Sequence, residues 1–236
     1  MTSPMVSTAW LAQHLADPDI RIFEVCSLNN DKVYREGHIP GALWFYWKTT
    51  CWQETDRDFI SPAAMAKLFG SLGIGPKTTV LIYGDPVQFG SYAYWTFTMA
   101  GHPKLKLLDG GRKKWLAERR PLSKEVPCFR PVDYPSPSGN SAMRIDRDNV
   151  RAHLCDRQRL LLDVCSPEEY SGEHGALEAK GLAPKKFDDV VCYCRLSHRA
   201  TIAWLALSGL LGLPNIKIYD GSWTEWGSIV GFPIEK

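Results

Sequence analysis

No stretch of the 236 residues approaches the roughly 18 uninterrupted apolar side chains of a membrane-crossing helix. Met1-Thr2-Ser3-Pro4 does not lead from a charged segment into an apolar one of the secretory kind. A soluble, non-secreted, cytoplasmic protein is expected, with no membrane partner. Charge of one sign is also scarce. The formal balance is +2, too little to argue for nucleic acid, and Arg112-Lys113-Lys114 and Arg119-Arg120 suit a solvated helix face better than a phosphate track. The seven cysteines are odd in number and lack zinc-like or disulfide-framework spacing, Cys192-x-Cys194 being too close for a C-x-x-C clamp. Reduced thiols in a cytosol-like compartment follow, and no metal or cofactor is expected. Against these absences stand 44% hydrophobic and 23% charged residues, an ordinary globular balance that excludes disordered and fibrous classes.

The chain repeats itself. Val6 to Ser27 align without gaps on Ile145 to Ser166 at an offset of 139, with His14-Leu15 on His153-Leu154 and Glu24-Val25-Cys26-Ser27 on Asp163-Val164-Cys165-Ser166. Val80-Leu81-Ile82-Tyr83 fall on Val190-Val191-Cys192-Tyr193 at 110, and Asp109-Gly110 with Trp115 fall on Asp220-Gly221 with Trp226 at 111. Two homologous domains are expected, 1–126 and 144–236, joined by a Pro- and Ser-rich linker at 127–143. Strand-like runs (Ile20 to Val25, Val80 to Tyr83, Leu105 to Leu108) alternate with amphipathic segments (Ser7 to Leu15, Pro62 to Leu72, Tyr92 to Ala100). That pattern predicts α/β domains, each a mostly parallel sheet flanked by helices. The drop in offset from 139 to 110 means that the second repeat lacks about 29 residues near 172–177, the counterpart of the region around His38 to Ser61. Loss of an internal strand would expose apolar faces and unpaired backbone groups, so a segment missing from the chain as read is expected rather than a true deletion.

The chemistry concentrates at Tyr193-Cys194-Arg195-Leu196-Ser197-His198-Arg199. Asp189 to Tyr193 reads as a buried strand and Ala200 to Leu207 as a mostly apolar helix. Strand, short loop and helix aim peptide N–H groups at the loop centre, and with Arg195 and Arg199 they favour an anionic sulfur on Cys194. In open α/β sheets, sites lie beyond the carboxyl ends of strands, where Cys194 falls. A buried structural cysteine is the bland alternative, and Cys192 is expected to be one.

These residues resemble the rhodanese family of sulfurtransferases in its tandem-domain form. Tyr34-x-x-x-His38-Ile39-Pro40-Gly41-Ala42-x-x-Phe45 is similar to the family's N-terminal signature. Tyr219-Asp220-Gly221-Ser222-Trp223-Thr224-Glu225-Trp226 is similar to the C-terminal one. The resemblance implies a thiosulfate sulfurtransferase-like enzyme in which Cys194 is catalytic and Arg195, Leu196, Ser197, His198 and Arg199 bind substrate. A sulfane sulfur would pass from a small anionic donor to a thiophilic acceptor, such as cyanide, a thiol or a sulfur-accepting protein, through a Cys194 persulfide. A sulfur-carrier or regulatory module with little turnover is the alternative. Gly84-Asp85 stands where the second repeat has Cys194-Arg195, so the first domain is expected to be non-catalytic. Phosphatases of the Cys-x5-Arg type are disfavoured because the spacing here is Cys194-x4-Arg199, with Ala200 at the clamping position. Family loops usually have Gly where this chain has Ser197, which a left-handed backbone would strain. The places where thiosulfate-preferring members carry basic residues read Leu196 and Glu169. His38 is expected to be a structural hydrogen-bonding residue. Asp220 is expected to cap a helix that starts in the C-terminal signature, with the Trp223 and Trp226 rings packing inward.

Overall fold

The structure, a computed structural model, describes residues 3–55, 58–165 and 188–234. The chain divides into two compact units, Met1–Asn140 and Ser141–Lys236. The first runs β1 (Met5–Val6), α1 (Thr8–Gln13), β2 (Ile20–Cys26), α2 (Lys32–Glu36), β3 (Ala42–Tyr46), α3 (Trp47–Cys51), α4 (Pro62–Ser71), β4 (Thr79–Asp85), α5 (Val87–Met99), β5 (Leu105–Leu108) and α6 (Gly111–Ala117). In the second, β6 (Arg144–Ile145), α7 (Arg147–Ala152), β7 (Arg159–Asp163), β8 (Asp189–Tyr193), α8 (Ala200–Trp204), β9 (Ile216–Tyr219) and α9 (Ser222–Trp226) follow one another. A π-helical turn, Leu205–Leu210, extends α8.

Among the described residues, these strands pair in parallel throughout, in the order β1-β5-β4-β2-β3 for the first unit and β6-β9-β8-β7 for the second. The internal repeat is a repeat of geometry. Ser7 caps α1 by accepting from Trp10 N (3.1 Å), and its counterpart Asp146 caps α7 by accepting from Asn149 N (2.8 Å). Trp115 Nε1 donates to Pro121 O at 2.8 Å, as Trp226 Nε1 does to Pro233 O at 2.9 Å. Each ring closes the chain that follows its helix onto the unit's core.

β3 has no partner-strand counterpart among the described residues of the second unit, which agrees with the shorter second repeat; residues 172–177, where the gap falls, lie outside the described residues. β3 is an edge strand next to β2, not an internal one, so a sheet without it still has two edges, the neighbouring strand becoming one of them, and the penalty expected for losing an internal strand does not apply.

The Pro-rich stretch between the repeats takes no regular secondary structure, yet much of it packs on the first unit. Val132 N donates to Gly70 O at 2.9 Å and Asn140 N to Met99 O at 2.7 Å. Tyr134 is buried against Phe69 and His102. His102, only 4% exposed, donates from Nε2 to the Thr78 carbonyl (3.0 Å) and accepts at Nδ1 from the Tyr134 hydroxyl (2.8 Å). A carbonyl only accepts, so Thr78 fixes a proton on Nε2, and it is burial that favours the neutral ring.

Burial lowers the His102 pKa from 6.5 to about 4. Because the folded pKa lies below the unfolded one, the stability this ring contributes is complete above about pH 6.5 and is lost as the pH falls through about 4. That loss amounts to about 3 kcal/mol. Comparing unfolding free energies at neutral and acid pH, His102→Gln should have an acid loss smaller by that amount; an unchanged pH dependence would contradict the assignment.

Candidate functional site

β8 is apolar and central, held between β7 and β9, and its carboxyl end delivers Cys194. Val191 and Cys192 are fully buried, and Cys194 is 1% exposed. Burial alone fits an inert thiol, as it does for Cys192, whose pKa desolvation pushes up to about 12. What sets Cys194 apart is its polar surroundings. Its own N–H donates to Ser222 Oγ at 3.2 Å, and that hydroxyl donates onward to Tyr219 O at 2.9 Å. Trp223 N donates to Cys194 O at 2.9 Å. Thr224 donates twice to Arg195 O, from its N–H at 3.1 Å and from its hydroxyl at 2.7 Å.

The six residues expected to form the site make one turn between β8 and α8. Arg195 and Leu196 are exposed, His198 and Arg199 half-buried, and Ser197 buried. Arg199 opens α8 as its N-cap at φ −75°. Thr201 ties the far side of the turn through a 2.7 Å bond from its hydroxyl to His198 O. Among the described residues, the N–H groups of Arg195, Leu196 and Ser197 donate to no protein group. Successive donors left open in a turn that passes through the left-handed region are the arrangement that anion-binding concavities use. Glu169 lies outside the described residues.

Ser197 takes the left-handed angle expected of glycine, φ +64°, with its hydroxyl on Leu196 O at 2.6 Å. Such a conformation costs a non-glycine residue about 1 kcal/mol. Ser197→Gly is therefore expected to leave the loop's shape intact and to change stability by less than about 1 kcal/mol, because relieved strain offsets added chain entropy. Chemical denaturation checks this, and a loss well beyond that figure would mean that the hydroxyl is structurally required.

The C-terminal signature contributes more than a helix start. Of the two rings expected to pack inward only Trp226 is buried; Trp223 is 43% exposed, because it lies on the outer face of a helix whose core-facing position Trp226 takes. Asp220 does not cap α9: the N-cap is Gly221, with no side-chain cap bond. Arg144 takes the Asp220 carboxylate instead, with contacts of 2.7 and 3.3 Å. Ser222 also has a left-handed backbone, φ +53°, at the position where the first unit has Gly111 at the same angle. The second unit thus bears strain at a glycine position and gains the hydroxyl that meets Cys194 N. Sequence reasoning noted Trp223 but missed Ser222 and Thr224; the signal was that the repeats differ there as Gly111-Arg112-Lys113 against Ser222-Trp223-Thr224.

In the first unit the equivalent place is sealed. Gly84 sits against α5, where a Cβ would lie 2.2 Å from Gly90 N and 2.7 Å from Pro86 O. Arg112, the counterpart of Trp223, reaches Glu24 at 3.4 Å and also donates to the Gly37 carbonyl. Tyr83 donates to the same Glu24 carboxylate at 2.5 Å. Burial raises the Glu24 pKa, against the Tyr83 hydrogen bond and the Arg112 charge. His38 is fully buried with its ring nitrogens on Tyr34 O (2.9 Å) and Glu125 O (3.0 Å), a structural position.

Two parallel α/β units, with a cysteine-headed loop at the strand end of the second and a glycine packed in the same place in the first, define a tandem-repeat α/β protein. Residues 7–118 and 146–229 each match the Rhodanese-like domain family, and the chain belongs to that family. It is 39% identical over 276 aligned positions to the "Sulfur carrier protein TtuD" of Thermus thermophilus, covering 98% of this chain and 96% of that protein. With the "Putative thiosulfate sulfurtransferase" of Haloferax volcanii it shares 35% identity, covering 98% and 96%. The crystal structure of SseA from Escherichia coli, 20% identical, matches the fold with a TM-score of 0.74, over 94% of this chain and 99% of that one. The 276 positions aligned with the Thermus protein exceed the 236 residues here, so at least 40 have no counterpart in this chain. Among the described residues, no helix is long and apolar enough to cross a membrane.

Proposed function

We propose that this protein is a sulfurtransferase that carries sulfane sulfur on Cys194. The observation that carries the reading is the loop itself: a thiol at a strand end, with Arg195 and Arg199 in the same turn and three successive N–H groups that, among the described residues, are left open. The Cys194 thiolate attacks the outer sulfur of thiosulfate; the donor's S–S bond breaks and sulfite leaves with the electron pair. A persulfide anion remains on Cys194, and cyanide or a thiolate acceptor takes its outer sulfur and returns the thiolate. Open peptide N–H groups stabilise that anion as they would an oxyanion. Arg195, exposed at the mouth, meets the anionic donor, and Arg199 adds positive potential at the start of α8. The outer sulfur of a persulfide stands about 2 Å beyond Sγ, which brings the transferable atom outward from a buried thiol.

The sulfurtransferase named among the relatives supports the reaction class. The relative named a sulfur carrier favours a second reading, a protein that loads Cys194 readily and hands sulfur to another protein instead of turning over on cyanide. Kinetic assays separate these readings. The enzyme forms thiocyanate from thiosulfate and cyanide over many turnovers, whereas a carrier takes up one equivalent of sulfur from thiosulfate and releases little of it to cyanide. Hydrolysis of an aryl phosphate with inhibition by vanadate, and no sulfur transfer, would overturn both.

A further inference from the structure

We propose that Thr224 is a positioning residue for the Cys194 loop, its hydroxyl and N–H together fixing the Arg195 carbonyl so that the next peptide N–H faces the sulfur site. The proposal rests on Cys194 being the sulfur-bearing group. A trans peptide is planar, with its C=O and the following N–H pointing in opposite directions. The Cys194 carbonyl is held by Trp223 N, and the Arg195 carbonyl by both Thr224 donors. Those bonds turn the N–H groups of Arg195 and Leu196 away from α9, and these are two of the three donors left open. A backbone bond alone leaves the Arg195 peptide hinged on one contact. The hydroxyl, at 2.7 Å, supplies the second and shorter one.

The silent repeat argues the same way. Thr224 corresponds to Lys113, which has no hydroxyl. Among the described residues neither Arg112 N nor Lys113 N donates to the carbonyls of Gly84 or Asp85. The two-donor clamp therefore occurs with the cysteine loop and is missing where that loop is replaced. Thr224 is itself exposed, so its hydroxyl is not needed to satisfy a buried core.

Thr224→Val keeps the side-chain shape and the N–H but removes the hydroxyl, and Thr224→Ser restores it. In the full chain, two rates are compared: persulfide formation from thiosulfate in a single turnover, and alkylation of Cys194 by iodoacetamide at neutral pH. Both should fall about three- to tenfold in Thr224→Val, the worth of one hydrogen bond, with thiosulfate KM little changed. Thr224→Ser should lie within about twofold of the parent on both rates. A Val variant as fast as the parent, or a Ser variant as slow as Val, would overturn the proposal. If the parent itself forms no persulfide, the functional reading has failed instead, and the alkylation rates still decide whether Thr224 sets the loop.

Discussion

Cys194→Ser should lose thiocyanate formation by at least about a thousandfold while keeping its fold. The reacting bond is made and broken at sulfur. A serine hydroxyl in the same place has neither the acidity nor the affinity for sulfane sulfur, and nothing else in the turn can take its role. The structural cost should be small, because a serine side chain is no larger than cysteine and the backbone bonds of residue 194 to Ser222 and Trp223 do not depend on the sulfur. Thermal melting within a few degrees of the parent, beside lost turnover, is the expected pair of results. Cys128 and Cys155 are exposed, and Cys26 and Cys51 have thiols that burial pushes up to about 12. Serine at any of these four should leave turnover within a few-fold. Retained transfer in Cys194→Ser would move the chemistry to another residue.

Gly84→Ala should destabilise the first unit by about 3 kcal/mol or more. The added methyl carbon would stand 2.2 Å from Gly90 N, 2.7 Å from Pro86 O and 2.9 Å from Gly90 Cα. All three are backbone atoms, so no side chain can rotate aside, and relief requires β4 and α5 to separate. Urea unfolding of the purified variant measures the loss. The same contact forbids restoring a nucleophile there: Gly84→Cys in a Cys194→Ser background should give no sulfur transfer. A Gly84→Ala protein as stable as its parent would show that the first loop is open, and the account of a sealed, silent repeat would fall.

The parts that could be read from sequence are those that local pattern controls. Val80 to Tyr83 and Leu105 to Leu108 became β4 and β5 because short apolar runs bounded by Gly, Pro and Lys have few other ways to bury themselves. α4 begins at Pro62, where the amphipathic segment was expected to start, and Ser61 caps it. The Cys194 turn lies between its strand and helix, and Ser197 adopts the left-handed angle of the glycine usual in the loops of the family it resembles. Where reading failed, the deciding partner was far away in sequence. α5 starts at Val87, five residues before the amphipathic pattern becomes visible; Gly90 weakens that first turn as a helix former, yet it is the residue that lets the helix approach Gly84. Asp220 looked like a cap until Arg144, 76 residues earlier, took its carboxylate. Ser222 and Thr224 act on a loop 28 and 29 residues away, a relation fixed by the docking of α9 and visible beforehand only as a hydroxyl-for-glycine and hydroxyl-for-lysine difference between the repeats. The supposed internal strand proved to be an edge because strand order in a parallel sheet does not follow chain order.

Mass spectrometry of the protein after incubation with thiosulfate tests the central claim most directly. The peptide containing Cys194 should gain the mass of one sulfur atom, and cyanide should remove it with release of one equivalent of thiocyanate. A Cys194 peptide that gains no sulfur from any sulfane donor, or sulfur found on a different cysteine, would contradict the assignment of Cys194 as the sulfur-bearing residue.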